Sequence, residues 1–204
     1  MDIRQQYRSL LEQLVAMPSV SALESNLPET ATIIAGAFRQ LGAQVIYDDT
    51  YFAPFIVAKF VSQNPNAKTV VIYNHYDVQP AEPLNLWQSN PWILTEHDGK
   101  LYGRGVDDDK GNLTARLAAV AEYLSENNQS LPINITFIIE GSEETASRYL
   151  TEYLNKYQDQ LQADLVIWES GGKNENDVIE IFGGNKGIVT FDLSVTTAAN
   201  DLHS

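Results

Sequence analysis

The sequence has 204 residues, a length for one domain or one domain plus part of another, and 44% of them are hydrophobic, ample for a packed core. Against 27 Asp and Glu there are 13 Lys and Arg, a net charge of −14, which leaves no basic surface for nucleic acid, and no apolar run long enough to span a membrane. Without cysteine there is neither a disulfide framework nor a thiolate zinc site, and Met1–Gln6 lacks a basic-then-apolar leader, so the expected location is the cytoplasm.

In chain order, Tyr7, Leu10, Leu11, Leu14 and Val15 recur at helical spacing, and Pro18 stops that helix. A second helix is expected from Pro28 to Leu41, with Ile33, Ile34, Ala37, Phe38 and Leu41 on its buried face and Gly42 at its C-terminal cap. Strands follow at 43–47, 55–61 and 69–73. Residues 81–100 read as a loop anchored by Leu86, Trp87 and Trp92. A helix with a Leu113, Leu117, Val120 and Leu124 stripe comes next, then a central strand at 133–139, a helix through Leu150, Tyr153, Leu154 and Tyr157, and a strand at 163–168. Residues 178–182 form a short strand, 183–187 a hinge, and 188–195 a strand of a new unit. The pattern is α/β: a mixed, largely parallel sheet flanked by helices.

Four segments deliver an imidazole or carboxylate to a strand end or a strand-to-helix turn: His75, Asp108, Glu143 with Glu144, and Glu169. Taken singly each has an ordinary explanation. The Asp107–Asp109 run suits a helix N-terminus, and a Glu-Glu pair after a strand is commonly solvated. Taken together they converge, because the C-terminal ends of parallel strands lie on one edge. Carboxylates gathered there repel one another unless cations neutralise them. One imidazole and several carboxylates, with no thiolate, suit Zn, Mn or Co, and the surplus of carboxylates points to two ions. Asp77, two residues after His75, is the carboxylate that orients it. Of two adjacent glutamates, one can bind metal while the other acts as general base on a metal-bound water.

The motifs His75-Tyr76-Asp77-Val78-Gln79-Pro80, Gly103-Arg104-Gly105 through Asp108-Asp109-Lys110-Gly111, and Glu140-Gly141-Ser142-Glu143-Glu144, with Glu169 and the closing Asp201-Leu202-His203-Ser204, resemble the M20 metallopeptidases. That family includes glutamate carboxypeptidase, carnosine-type dipeptidases, acetylornithine deacetylase and succinyl-diaminopimelate desuccinylase; Val-Gln-Pro after the His-x-Asp looks most like the dipeptidase branch. The resemblance implies a zinc-peptidase-like catalytic domain with two divalent ions, zinc first. His75, Asp108, Glu144 and Glu169 would be metal ligands, with Asp108 bridging. Asp77 and Glu143 would be catalytic, Glu143 as base, and His203 would polarise the scissile carbonyl, often in a partner subunit of a homodimer. The substrate would be a small peptide or an N-acyl amino acid, with no nucleic acid or membrane as partner.

Family members are longer and supply a further histidine ligand. On this basis residues 1–184 are expected to be the N-terminal part of the catalytic domain. Residues 185–204 would begin an inserted α+β dimerisation domain, and the chain alone is expected to be inactive. The alternative is an inert metal-binding fragment or assembly module that needs the missing half.

Overall fold

The computed structural model describes residues 2–169, 171–184, 187 and 189–195. The chain divides into two compact units, residues 1–170 and 171–204.

In the first unit, helix α1 (Ile3–Val15) buries Tyr7, Leu11, Leu14 and Val15. Helix α2 (Leu27–Gln40) carries Pro28 in its first turn. It closes with a Schellman cap: Gly42, at φ 93°, donates its N–H to Arg39, and Ala43 donates to Phe38. Its buried face is Leu27, Thr30, Ala31, Ile34, Ala35 and Phe38. The expected face is therefore rotated, with Ile33, Ala37 and Leu41 only partly covered. Ala31 and Ala35 on the observed face are fully buried.

Strands β1 (Gln44–Asp48), β2 (Phe55–Phe60) and β3 (Thr69–His75) come next. A small hairpin, β4 (Thr95–His97) with β5 (Lys100–Tyr102), begins inside the stretch expected to be loop and runs just past its end. There Trp87 is tied down by its indole N–H to the Ala81 carbonyl, but Leu86 is exposed and anchors nothing. Helix α3 (Lys110–Glu126), β6 (Asn134–Glu140), α4 (Leu150–Tyr157) and β7 (Leu165–Ile167) complete the unit.

The main sheet runs β1-β2-β6-β3-β7. Its β1-β2 and β2-β6 pairs are antiparallel, while β6-β3 and β3-β7 are parallel. Side-chain alternation splits the strands between two apolar cores. Ile56, Ala58, Phe60, Ile72, Phe137 and Ile139 meet residues of α1, α2 and α3. Phe55, Val57, Val71, Tyr73 and Ile138 meet Leu150 and Tyr153 of α4. With both faces covered, β2, β3 and β6 read as nearly continuous apolar runs.

In the second unit, β8 (Gly172–Lys173) pairs with β9 (Ile179–Glu180). Residues 189–195 carry no strand, contrary to expectation; a strand needs a ladder partner, and none pairs there among the described residues.

Candidate metal centre

The parallel trio β6-β3-β7 aims three strand ends at one edge of the sheet. His75, the last residue of β3, is fully buried. Its Nδ1 lies 3.1 Å from the Asp77 backbone carbonyl and 3.3 Å from Asp77 Oδ1. An Nδ1–H donating to Asp77 fixes the ring and leaves Nε2 as the outward, ligating nitrogen. Asp77 also accepts from the backbone N–H groups of Glu143 at 3.1 Å and Glu144 at 3.0 Å. One buried carboxylate thus holds both the imidazole and the turn bearing the paired glutamates.

His75 Nε2 faces Asp108 Oδ1 at 2.8 Å, Glu169 Oε2 at 3.3 Å and Glu143 Oε2 at 3.9 Å. Among the described residues, His75, Asp108 and Glu169 form a group whose ligand atoms all lie within 4.8 Å of one another. Burial disfavours charge on His75, but hydrogen bonds to Asp108 and Asp77 and the charges of Asp77 and Asp109 outweigh it and raise its pKa to about 11. Burial raises Glu169 to about 7; His75 opposes that shift, while Glu143, Asp109 and Asp108 add to it. Glu143 is raised as well, first by burial, then by Glu144, Asp77 and Asp108 against the pull of His75. Asp108 moves down, chiefly through its hydrogen bond with His75.

The decisive atom is Glu169 Oε2, which is buried and has no hydrogen-bond partner among the described residues. The single Nε2–H of His75 is directed at Asp108. A buried carboxylate oxygen without a donor is costly, and a divalent cation would answer it. An imidazole with carboxylate oxygens suits zinc, manganese or cobalt, and such an ion would replace the Nε2 proton. The residues present fit a metal.

A family model described as peptidase family M20/M25/M40 matches residues 71–200. The chain belongs to this family. It is similar to human Beta-Ala-His dipeptidase, with 32% identity over 95% of this chain and 41% of that protein. A Cys-Gly metallodipeptidase of Schizosaccharomyces pombe is 30% identical over 98% of this chain and 45% of its own length. Among solved structures, the M20 family metallo-carboxypeptidase Sso-CP2 from Sulfolobus solfataricus superposes with a TM-score of 0.76 at 35% identity, over 87% of this chain and 39% of that one. The chain spans less than half the length of these relatives.

In this M20 chain not every expected site residue joins the group. Glu144 Oε2 accepts from the Gln79 side-chain amide at 2.8 Å, and its backbone carbonyl accepts from the same amide at 3.2 Å. His203 lies outside the described residues. Two supporting residues escaped the reading of the sequence. Asp109 stands at the N-cap of α3 but makes no capping bond. Its Oδ2 instead accepts from the Asn74 side chain at 2.7 Å and the His75 backbone N–H at 3.1 Å. Lys110 is fully buried, and its Nζ donates to the carbonyls of Leu14 and Met17, both at 2.7 Å, at the end of α1. Burial pushes its ammonium down to about 7, with Asp77 opposing. A lysine three residues before Leu113, at the head of an apolar stripe, is the signal that could have found it.

Proposed function

We propose that the whole protein is a di-metal hydrolase that cleaves the amide bond of a dipeptide or an N-acyl amino acid. The observation that carries this reading is the buried His75 group, with an acidic oxygen of Glu169 that no donor among the described residues answers. His75, Asp108, Glu144 and Glu169 would hold two divalent ions, zinc first and manganese or cobalt as substitutes. Bound there, the ions supply Lewis acidity that activates water and polarises the scissile carbonyl.

The chain's own residues do the rest. Glu143, whose carboxyl is raised towards the useful range for a base, accepts the proton of the attacking water and returns it to the leaving nitrogen. Asp77 keeps His75 in the ligating tautomer and holds the Glu143–Glu144 turn in reach. In the same reading His203 adds polarisation at the carbonyl, and the protein works as a homodimer in the cytoplasm. Relatives named for β-Ala-His and Cys-Gly support dipeptides, and succinyl-diaminopimelate desuccinylases, 29% identical over 91% of this chain in Verminephrobacter eiseniae, support N-acyl amino acids.

The test is hydrolysis of β-Ala-His, Cys-Gly and N-acetyl amino acids by the whole protein, with and without a chelator. Chelator-sensitive release of free amino acid is expected; none from either class overturns the reading. A second reading, metal binding without turnover by this chain alone, is favoured by the engagement of Glu144 with Gln79 outside the three-residue group. Normal turnover by residues 1–204 alone would remove it.

A further inference from the structure

Directly behind the His75 group sits another buried carboxylate. Glu140 ends β6, opposite His75 in the β3-β6 register, and is 2% exposed. Both its oxygens are occupied: Oε1 accepts the Tyr73 hydroxyl at 2.7 Å and Oε2 accepts the Ser142 hydroxyl at 3.0 Å. Each partner leads to a different part of the site. Tyr73 is fully buried and stacks on Trp168, with ring centroids 3.9 Å apart and planes 8° from parallel. Trp168 immediately precedes Glu169. Ser142 immediately precedes Glu143, and its backbone carbonyl accepts from the N–H groups of Thr145 at 3.2 Å and Ser147 at 2.8 Å, which closes the turn.

Glu140 therefore joins two elements that sheet pairing leaves separate. The β6-β3 and β3-β7 ladders fix the strands but stop at His75–Glu140 and at Ile72–Ile167, before either acidic group is reached. Beyond those points the Glu169 end is held through the Trp168–Tyr73 stack and by Arg116, which donates to the Trp168 carbonyl, and the Glu143 turn through Ser142 and Asp77; Glu140 is the side chain that joins Tyr73 to Ser142. For stability alone, a buried carboxylate with two hydroxyl partners is a poor choice beside an apolar side chain of similar volume.

We propose that Glu140 is a positioning residue: by bonding Tyr73 and Ser142 at once, it sets the separation between Glu169 and Glu143 across the metal centre. This rests on the reading of Glu169 as a ligand and Glu143 as the base.

The experiment compares Glu140→Ala, Tyr73→Phe, Ser142→Ala and Glu140→Gln in the whole protein loaded with cobalt(II). The readouts are bound metal, the cobalt absorption spectrum, kcat and KM. Glu140→Ala is expected to lower kcat or metal affinity about 10- to 100-fold, the range for residues that support metal ligands, with KM nearly unchanged and a shifted spectrum. Tyr73→Phe and Ser142→Ala each cut one arm and should give part of that loss. Glutamine can accept from Tyr73 and donate to Ser142, so Glu140→Gln should recover most of what alanine loses.

Wild-type spectra and kcat per bound metal across the alanine and phenylalanine variants would overturn the proposal, even if their melting temperatures fell. A glutamine variant as impaired as alanine would overturn it too, because charge rather than geometry would then be at work. If Glu140→Ala does not fold, the two single-arm variants decide. If the wild-type protein hydrolyses nothing, the functional reading fails, and cobalt affinity and spectrum alone judge the positioning role.

Discussion

Asp48 and Glu169 are both carboxylates tucked at strand ends, and the protein answers them in opposite ways. Asp48 closes β1 and is 7% exposed. It accepts from the Lys156 ammonium, the Tyr157 hydroxyl, and both the N–H and hydroxyl of Thr50. Burial alone would raise its pKa, but the bonds from Lys156, Thr50 and Tyr157 outweigh burial and hold it well below the usual carboxylate range. Glu169 has no such lysine. His75 and Arg116 favour its charge, but the Arg116 guanidinium donates to the Tyr73 and Trp168 carbonyls instead; three other carboxylates press on it, and Oε2 lacks a donor among the described residues. A buried acid completed by the protein's own cation is structural. One left incomplete beside an imidazole is a place for a cation from outside.

The sharpest way to break that contrast is at the base. Glu143→Ala touches only the incomplete cluster and should cut turnover by about 10²–10⁴-fold while bound metal, measured by elemental analysis, stays constant. Next, Asp77→Ala removes the partner of His75 Nδ1 and should weaken zinc binding by about 10- to 100-fold in calorimetric titration. Asp48→Ala should leave that titration unchanged; a matching loss of zinc affinity would erase the distinction between the two clusters.

On the other side, Asp48→Ala should cost about 1–3 kcal/mol in urea denaturation at neutral pH, by removing hydrogen bonds to a buried charge. Its pH dependence has a fixed sign. The folded carboxyl titrates below the unfolded value of about 3.9, so its contribution is complete above that pH and lost as pH falls through the folded value. Wild-type and mutant stabilities should therefore converge in acid; a constant gap from pH 7 downward would contradict the assignment. The smallest effect is expected for Gln79→Ala, which frees Glu144 from an exposed hydrogen bond. A stability change of about 0.5–1.5 kcal/mol or less is predicted, with any change in metal binding confined to the weaker of two sites.

What could be read without coordinates follows the same division. Strands β2, β3 and β6 were legible because burial on both faces leaves long β-branched and aromatic runs, and His75 was placed by the end of one of them, while Asp108 before α3 and Glu169 after β7 were read from strand-to-helix turns and a strand end. The β4-β5 hairpin was not: three polar-rich residues a side make no periodic signal. Asp109 was hidden because an aspartate before a helix has the same appearance whether it caps that helix or reaches back to Asn74 and His75. Gln79 gave no sign of its grip on Glu144, since the two are 65 positions apart and meet only through the fold.

Lys110 carries a consequence for the beginning of the chain. Its ammonium is moored to carbonyls at Leu14 and Met17, more than ninety residues upstream, and it is the residue directly after Asp109. The opening helix thus splints the acidic loop as well as covering the sheet. Trimming the protein back past Met17 would remove both carbonyls and release the loop that brings Asp108 to His75, though no residue of that helix belongs to the His75, Asp108 and Glu169 group.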